Sequence, residues 1–596
     1  MASAALDGAL GEAAFLGVEQ SLTGRRWIAR PYDERLALTL CQRLGIPDLL
    51  ARVLAGRGIG LDEAESFLDP KLNTLMPDPS RLRDMDAAAE RVAAAVMGGE
   101  TVAIFGDYDV DGATSSALLD RFLRAAGGRT LVYIPDRMTE GYGPNVPALL
   151  SLREQGCALV VTVDCGTTAF VPLAAATEAG LDVVVVDHHK PEAALPTALA
   201  VVNPNRLDEP PGLGHLAAVG VAFLLAVAVN RALRQAGWYK ERREPDLKQW
   251  LDLVALGTVA DVVKLTGLNR AFVVQGLKVL ARRGNAGLAA LADVAGVRER
   301  PEAYHLGYVL GPRVNAGGRV GESGMGARLL ACDDPAAATA MAARLDGWNR
   351  ERQELEAAVL LAAIEQVESA PDDGLPLVLA VGEGWHPGVI GIVASRLKER
   401  YNRPACAVSV IDGEAKGSAR SVSGIDIGAA VIAATQAGIL SKGGGHQMAA
   451  GFSLPATRLP DLRAFLAQHL ADQLTGPLVP TMRLDGALDV GGATPALIER
   501  LAQAAPFGAG NAEPRFAITN ARVMFPKVVG SGHVSCVLTG TGTARLKAIA
   551  FRCADSELGF ALLRTGTPMH LAGTLRLDNW QGQTSVQLCI EDAAPA

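Results

Sequence analysis

From about residue 86 the chain alternates two incompatible periodicities. "DAAAERVAAAVMGG" has helical spacing and a glycine stop, "TVAIFGD" is short, apolar and strand-like, and "GATSSALLDRFLRAAGG" is helical again. "TLVYIP", "ALVVTVDCG" and "DVVVVDHH" follow as apolar, β-branched strands, each set apart by a helical or loop stretch. Such alternation predicts a parallel sheet covered by helices, with ligands at the carboxyl ends of its strands. Those ends carry the chemistry here: Asp107, Asp109 and Asp111 in "DYDVDG", Asp164 in "DCGTT", and Asp187, His188 and His189 in "DHHK".

On a strand, residues two apart share a face, so Asp107, Asp109 and Asp111 are expected to point the same way. Like charges on one face repel unless a cation cancels them. Asp261, in "ALGTVADVV", ends a further apolar segment. A single Asp in such a place is ordinarily a helix cap or turn former. Four acid-bearing segments, one with two histidines, exceed what capping explains. Several carboxylates with an imidazole suit Mn²⁺ or Mg²⁺, the histidine tilting the site toward Mn²⁺. So many acids also exceed the needs of one ion. Two ions about 3.5–4 Å apart, sharing a carboxylate, activate a water and clamp a phosphate. The residues thus predict a two-metal phosphoryl hydrolase.

At 596 residues the chain is too long for one core. The expected divisions are an N-terminal region (1–85), the acid-bearing lobe (86–330), a long connecting helix (331–370), a second α/β lobe (371–484) and a region of short alternating strands (485–596). The last, with its Gly-rich turns, suggests a five-stranded OB-like barrel. A formal net charge of −8 weighs against a protein that coats nucleic acid through its overall field, although the second lobe is locally basic. Eight scattered cysteines without a C-x-x-C pair argue against a zinc knuckle or disulfide framework. The apolar run 216–229 is too short to span a bilayer and reads as a buried helix. With no signal peptide apparent, a cytoplasmic location is expected.

The ordered strings "DYDVDGATS", "DCGTT", "DHH" and "GTVADVV" resemble the DHH phosphoesterase superfamily. "GPRVNAGGRVGES", "WHPGVIGIVASRLKERYNRP", "GSARS", "GGGHQMAAGF" and "PFGAGNAEPRF" are similar to its RecJ branch of single-stranded-DNA-specific exonucleases, from about residue 80 to the C-terminus. The resemblance implies a DHH lobe, a DHHA1-like lobe and an OB-like barrel. It implies that Asp109 and Asp111 each bind one ion, that Asp164 bridges them and that His188 and Asp261 complete the second site. Asp107 would lie beside the first ion, Asp187 would orient His188 and His189 would contact the scissile phosphate. Where the wider superfamily often has a ligating His, this chain has Phe105, so the first ion is expected to be the looser one. Arg313, Asn315, Arg319, Ser418, Arg420 and the "GGGH" run with Gly444, Gly445 and His446 are expected on the DNA phosphates. Attack from the 5′ end, single-strand preference and 5′-mononucleotide products also come from the resemblance. So do a role in DNA repair and recombination, and a single-strand-binding protein and a helicase as partners. Trp348 is expected in a helix contact, whereas Trp385 and Trp580 are candidate base-stacking residues.

The competing expectations are a small-substrate phosphoesterase of the same superfamily, acting on dinucleotides, cyclic dinucleotides or pyrophosphate, and a non-catalytic relative that binds DNA or replication proteins. The first has little use for the barrel, and the second has no use for an intact acid and histidine set.

Overall fold

The computed structural model describes residues 13–596, save 138, 371–373, 475, 581 and 582 and the side chains of 579–583. The side chain of Trp580 therefore lies outside the described residues. The chain divides into two compact units, one of residues 72–478 and one of 1–71 with 479–596.

In the larger unit, described residues form a parallel sheet in the spatial order Arg129–Tyr133, Thr101–Gly106, Cys157–Val163, Asp182–Val186, Ala200–Val202. Alternate residues feed two cores. Val102, Ile104, Val161 and Val184 pack with the helices Met85–Gly98, Val110–Ala125 and Ala218–Gln235 on one face. Ala103, Phe105, Val160 and Val185 pack with Leu149 and Leu173 on the other. Strands apolar on both sides are what a doubly covered sheet requires. The sequence doubles back at Thr101–Gly106, whose neighbours lie one crossover later and two crossovers later. This is the switch point where such sheets open a crevice. Ala218–Gln235 is long and apolar enough to cross a membrane, but here it is mostly buried within the core.

Helix Pro335–Ser369 leads to a mixed sheet ordered Lys442–His446, Ala449–Pro455, Glu414–Arg420, Ala405–Ile411, Val378–Glu383. The "GGGH" run, whose glycines would equally suit a tight turn, is instead the edge strand of this sheet and pairs with Ala449–Pro455. Trp348 lies in the helix contact expected of it: a Cβ on Gly321 would fall 2.3 Å from its ring, and Arg344 lies 4.8 Å over its centroid. Trp385 folds onto Gly382 in the same manner.

In the smaller unit, Arg515–Val529, His533–Thr539, Arg545–Ala550, Gln583–Pro595 and Pro568–Trp580 pair in turn, and the last returns to the first to close a barrel. The N-terminal helices Glu34–Leu44, Asp48–Gly56 and Leu61–Leu68 share a core with it. Asp485 is the buried electrostatic link: it accepts from Arg57 at 2.6 Å and Arg30 at 3.0 Å, with 2 % of its side chain exposed. Removing the shared anion leaves two guanidiniums without their counter-charge. Asp485→Ala is expected to cost about 3–5 kcal/mol, read as an earlier urea transition in tryptophan fluorescence; a shift below about 1 kcal/mol would contradict this role.

Candidate metal centre

The parallel ladder ends in register: Gly106 lies opposite Val163, Val163 opposite Val186 and Val186 opposite Val202. The next residue on each of the first three strands is an acid. Asp107 N–H donates to the Val163 carbonyl, Asp164 N–H to Val186 and Asp187 N–H to Val202, at 3.3, 3.0 and 3.1 Å. These bonds set three carboxylates level at the carboxyl edge. Asp164 holds a left-handed φ of 61°, a rare conformation for a residue with a Cβ and one that clusters at functional sites.

The expectation that strand alternation gathers Asp107, Asp109 and Asp111 is corrected. The strand stops at Gly106, and Asp109 is the N-cap of helix Val110–Ala125, accepting from the N–H groups of Asp111 and Gly112 at 2.9 and 3.1 Å. Asp111 lies in that helix's first turn. The acids converge because the chain folds sharply back: a Cβ on Gly112 would sit 2.3 Å from the Asp107 carbonyl oxygen.

Helix Ala218–Gln235 aims its N-terminus at Asp111. Ala218 N–H donates to Asp111 Oδ2 at 2.6 Å and Val219 N–H to Oδ1 at 2.9 Å, where the helix dipole favours an anion. Just upstream of this pair, the Leu216 carbonyl fixes His188, whose Nδ1 lies 3.0 Å away. A carbonyl only accepts, so Nδ1 carries the proton and Nε2 presents its lone pair. His188 Nε2 is 3.3 Å from Asp164 Oδ1 and 3.7 Å from Asp261 Oδ2, the latter on the residue that caps helix Leu251–Ala260.

Asp187 orients the other histidine, correcting the expectation that it holds His188. Its Oδ1 accepts from His189 Nδ1 at 2.8 Å, while its contact with His188 is through the backbone N–H alone. Burial disfavours charge on His189, but the Asp187 bond and charge outweigh it and raise its pKa to about 9. Burial likewise acts against the Asp187 carboxylate, yet His189 holds it below the usual range. Tyr142 Oη donates to the Asp164 carbonyl at 3.1 Å and lies 3.3 Å from His189 Nδ1.

Burial, and then neighbouring acids, push the site carboxyls up: Asp107 to about 8, Asp261 to about 7, and Asp111 and Asp164 well above the ordinary range. Four buried acceptor atoms, Asp107 Oδ1, Asp164 Oδ1, His188 Nε2 and Asp261 Oδ2, have no hydrogen-bond partner among the described residues. Ligand atoms of Asp107, Asp109 and Asp164 lie within 4.8 Å of one another, as do those of Asp111, His188 and Asp261. Asp164 stands in the first group and beside His188 of the second. Orphaned, converging ligand atoms of this kind fit divalent cations, and Asp164 also groups with His188 and His189. Phe105 is no part of this: it is buried in the opposite core and stacks on Tyr133, ring centroids 5.2 Å apart.

Beside the acids is a cavity of about 280 Å³ lined by Asp107, Asp109, His189, Arg137, Asn315 and Arg319 among others. Asn315 Oδ1 accepts from Val110 N–H at 3.1 Å and so also steadies the acid loop. Arg319, half-buried between the lobes, donates to the Gly388 carbonyl at 2.9 Å. Its pKa is pushed down to about 10 by burial, then by Arg137 and Arg352, with Arg420 contributing. Arg137 and Arg319, both on the cavity lining, present positive charge to an anion there, whereas Arg352 is paired with Glu356. Arg420 Nη1 donates to Ser418 Oγ at 3.0 Å. Gly391 leaves room for both: a Cβ there would meet Arg420 Nη2 at 3.1 Å and Ser418 Oγ at 3.2 Å.

Not every expected contact gathers here. Arg313 is held by Asp346 at 2.9 Å and the Val309 carbonyl at 2.7 Å, away from the cavity. Gly444, Gly445 and His446 lie on the exposed edge strand. Conversely, Arg137 and Tyr142 line the cavity although no sequence motif marks them. The one cue for Tyr142 is its position between two glycines, Gly141 and Gly143, both with left-handed φ.

Fold and centre together define a metal-dependent phosphoesterase of the DHH type. Residues 101–258 match the DHH family N-terminal domain, 374–472 the DHHA1 domain and 484–592 the RecJ OB domain. The single-stranded-DNA-specific exonuclease RecJ of Dickeya dadantii is 38 % identical over 570 residues, covering 92 % of this chain and 96 % of its own length. That of Bacillus subtilis is 35 % identical over 579 residues, 96 % and 71 %. The crystal structure of RecJ in complex with Mn²⁺ from Thermus thermophilus superposes with a TM-score of 0.79 at 30 % identity, covering 96 % of this chain and 79 % of that one. The chain belongs to the RecJ family.

The tight return at Gly112 yields a direct expectation. Gly112→Ala must displace the Asp107 backbone, so Mn²⁺ affinity by calorimetry should fall about 10–100-fold, the scale for disturbing ligand support, with far-ultraviolet dichroism unchanged. Undiminished affinity would contradict the geometry.

Proposed function

We infer that this chain is a single-stranded-DNA-specific exonuclease that works from the 5′ end and releases 5′-mononucleotides, using two divalent cations, Mn²⁺ or Mg²⁺. The observation that carries it is Asp164: a buried carboxylate with an orphaned oxygen, grouped both with Asp107 and Asp109 and with His188 and His189.

Asp109 and Asp164 would hold one ion, with Asp107 beside it, and Asp111, Asp164, His188 and Asp261 the other. When bound, such ions supply a nucleophile at neutral pH and offset charge on the phosphate. The chain's own groups do the rest. Asp187 fixes the His189 ring and keeps it protonated, so His189 can donate a hydrogen bond to an oxygen of the scissile phosphate. Arg137, Arg319 and Arg420 with Ser418 face a further anion. A terminal 5′-phosphate is the most charged group a strand offers, so seating it there would place the first internucleotide bond at the acids and make the product a mononucleotide. The reading extends to a role in DNA repair and recombination in the cytoplasm, with a single-strand-binding protein and a helicase supplying the strand.

Digestion of one oligonucleotide labelled at either end, as single strand and as duplex, tests this. Release of a labelled mononucleotide at once from the 5′ label, on single strand and only with Mn²⁺ or Mg²⁺, is expected. Equal digestion of blunt duplex, or activity confined to free dinucleotides, would overturn it. Asp164→Ala should abolish release. Arg420→Ala should raise KM for a 5′-phosphorylated strand about 10–100-fold, the worth of one hydrogen bond to a charged group, and should do so less for a 5′-hydroxyl strand.

A further inference from the structure

Residues His305–Leu310 form a π-helical segment that runs directly into helix Gly311–Val320. Such turns are rare and concentrate at functional sites. This one rests on the last turn of helix Leu251–Ala260: a Cβ on Gly307 would lie 3.2 Å from Val259 Cγ1, and one on Gly311 would lie 3.4 Å from Ala260 Cβ. The next residue of that helix is Asp261, one of the clustered acids.

On the segment's outer side Tyr304 and Tyr308 are 58 % and 76 % exposed, and their rings stack with centroids 5.3 Å apart and planes 26° from parallel. One exposed tyrosine is unremarkable, but a stacked, water-facing pair is a ready π surface. Tyr304 also meets the ring of His305 edge-on at 5.7 Å. His305 lines a cavity of about 300 Å³ with an apolar floor that includes Leu280 and Leu288 and a rim that includes Arg298 and Arg300. On that rim Arg283 is paired with Asp293, and Glu299 with His305. Arg298 and Arg300 have no ion-pair partner among the described residues.

His305 joins the two features, meeting Tyr304 and lining the cavity that bears Arg298 and Arg300, and stacking faces with nearby unpaired guanidiniums are the combination that holds single strands without regard to sequence. We propose that Tyr304, Tyr308, Arg298 and Arg300 form a strand-holding site outside the reaction cavity, whose ligand is the unstacked bases and phosphates of single-stranded DNA. This rests on the function inferred above. An acidic peptide would satisfy the arginines but gives the paired rings no π partner, so the rings favour bases.

The test uses the full chain and oligothymidylates of two and about twenty nucleotides, with binding read by fluorescence anisotropy in chelator and hydrolysis with Mn²⁺. Tyr304→Ala with Tyr308→Ala should weaken binding of the long strand about tenfold or more and leave dinucleotide hydrolysis at the wild-type rate. The double Phe variant, which keeps both rings, should bind as the wild type does. Arg298→Ala with Arg300→Ala should flatten the dependence of log affinity on log salt by about 1.4, two single-strand phosphate contacts. Undiminished long-strand binding by the double Ala variant would overturn the site and leave the patch to a protein partner. A matching fall in dinucleotide hydrolysis would overturn its separateness from the reaction cavity. Failure of the wild type to cut any strand would instead overturn the function on which it rests.

Discussion

Everything at the active edge depends on the last rung of the parallel sheet. Because three neighbouring strands end in register, the backbone N–H of the following residue on each can still reach the adjacent strand's final carbonyl. That bond fixes the backbone of Asp107, Asp164 and Asp187, and so fixes which way their carboxylates leave the sheet. A slip of one residue in any pairing would turn the strand's side chains to the opposite face and dismantle the site.

The same placement creates an electrostatic problem that the protein alone does not solve. Asp107, Asp111 and Asp164 are nearly buried, and burial with mutual repulsion drives their carboxyls toward the protonated form. Backbone N–H groups from helix Ala218–Gln235 relieve Asp111, and Asp187 has the His189 ring. Asp164 has neither kind of relief for its orphaned oxygen. Divalent cations would offset what the fold leaves unbalanced, and Arg137 and Arg319 line the cavity beside the acids.

Much of this was legible in the sequence, and what was not has physical reasons. Apolar strands followed by acids announce a parallel sheet and its working edge, because period and position suffice for that inference. The arrangement within "DYDVDG" escapes it, because strand alternation does not continue past Gly106, where an N-cap takes over. Arg313 and Arg319 stand in one motif, yet they leave the helix in different directions, one to Asp346 and one to the cavity. No spacing rule on an isolated helix reveals which face meets a partner. Arg137 and Tyr142 come from a loop without periodicity, so only folding brings them to the acids. The Asp187 partnership turned on a rotamer, which sequence does not encode locally.

The central claim is that the acid and histidine set is a two-ion centre with Asp164 between the ions. Electron paramagnetic resonance of the metal-free chain titrated with Mn²⁺ tests this most directly. Two ions per chain are predicted, with the exchange-coupled spectrum of Mn²⁺ ions that share a carboxylate, lost when Asp164 is replaced by Ala. A single isolated six-line signal that saturates at one ion per chain, or a spectrum indifferent to Asp164, would contradict it.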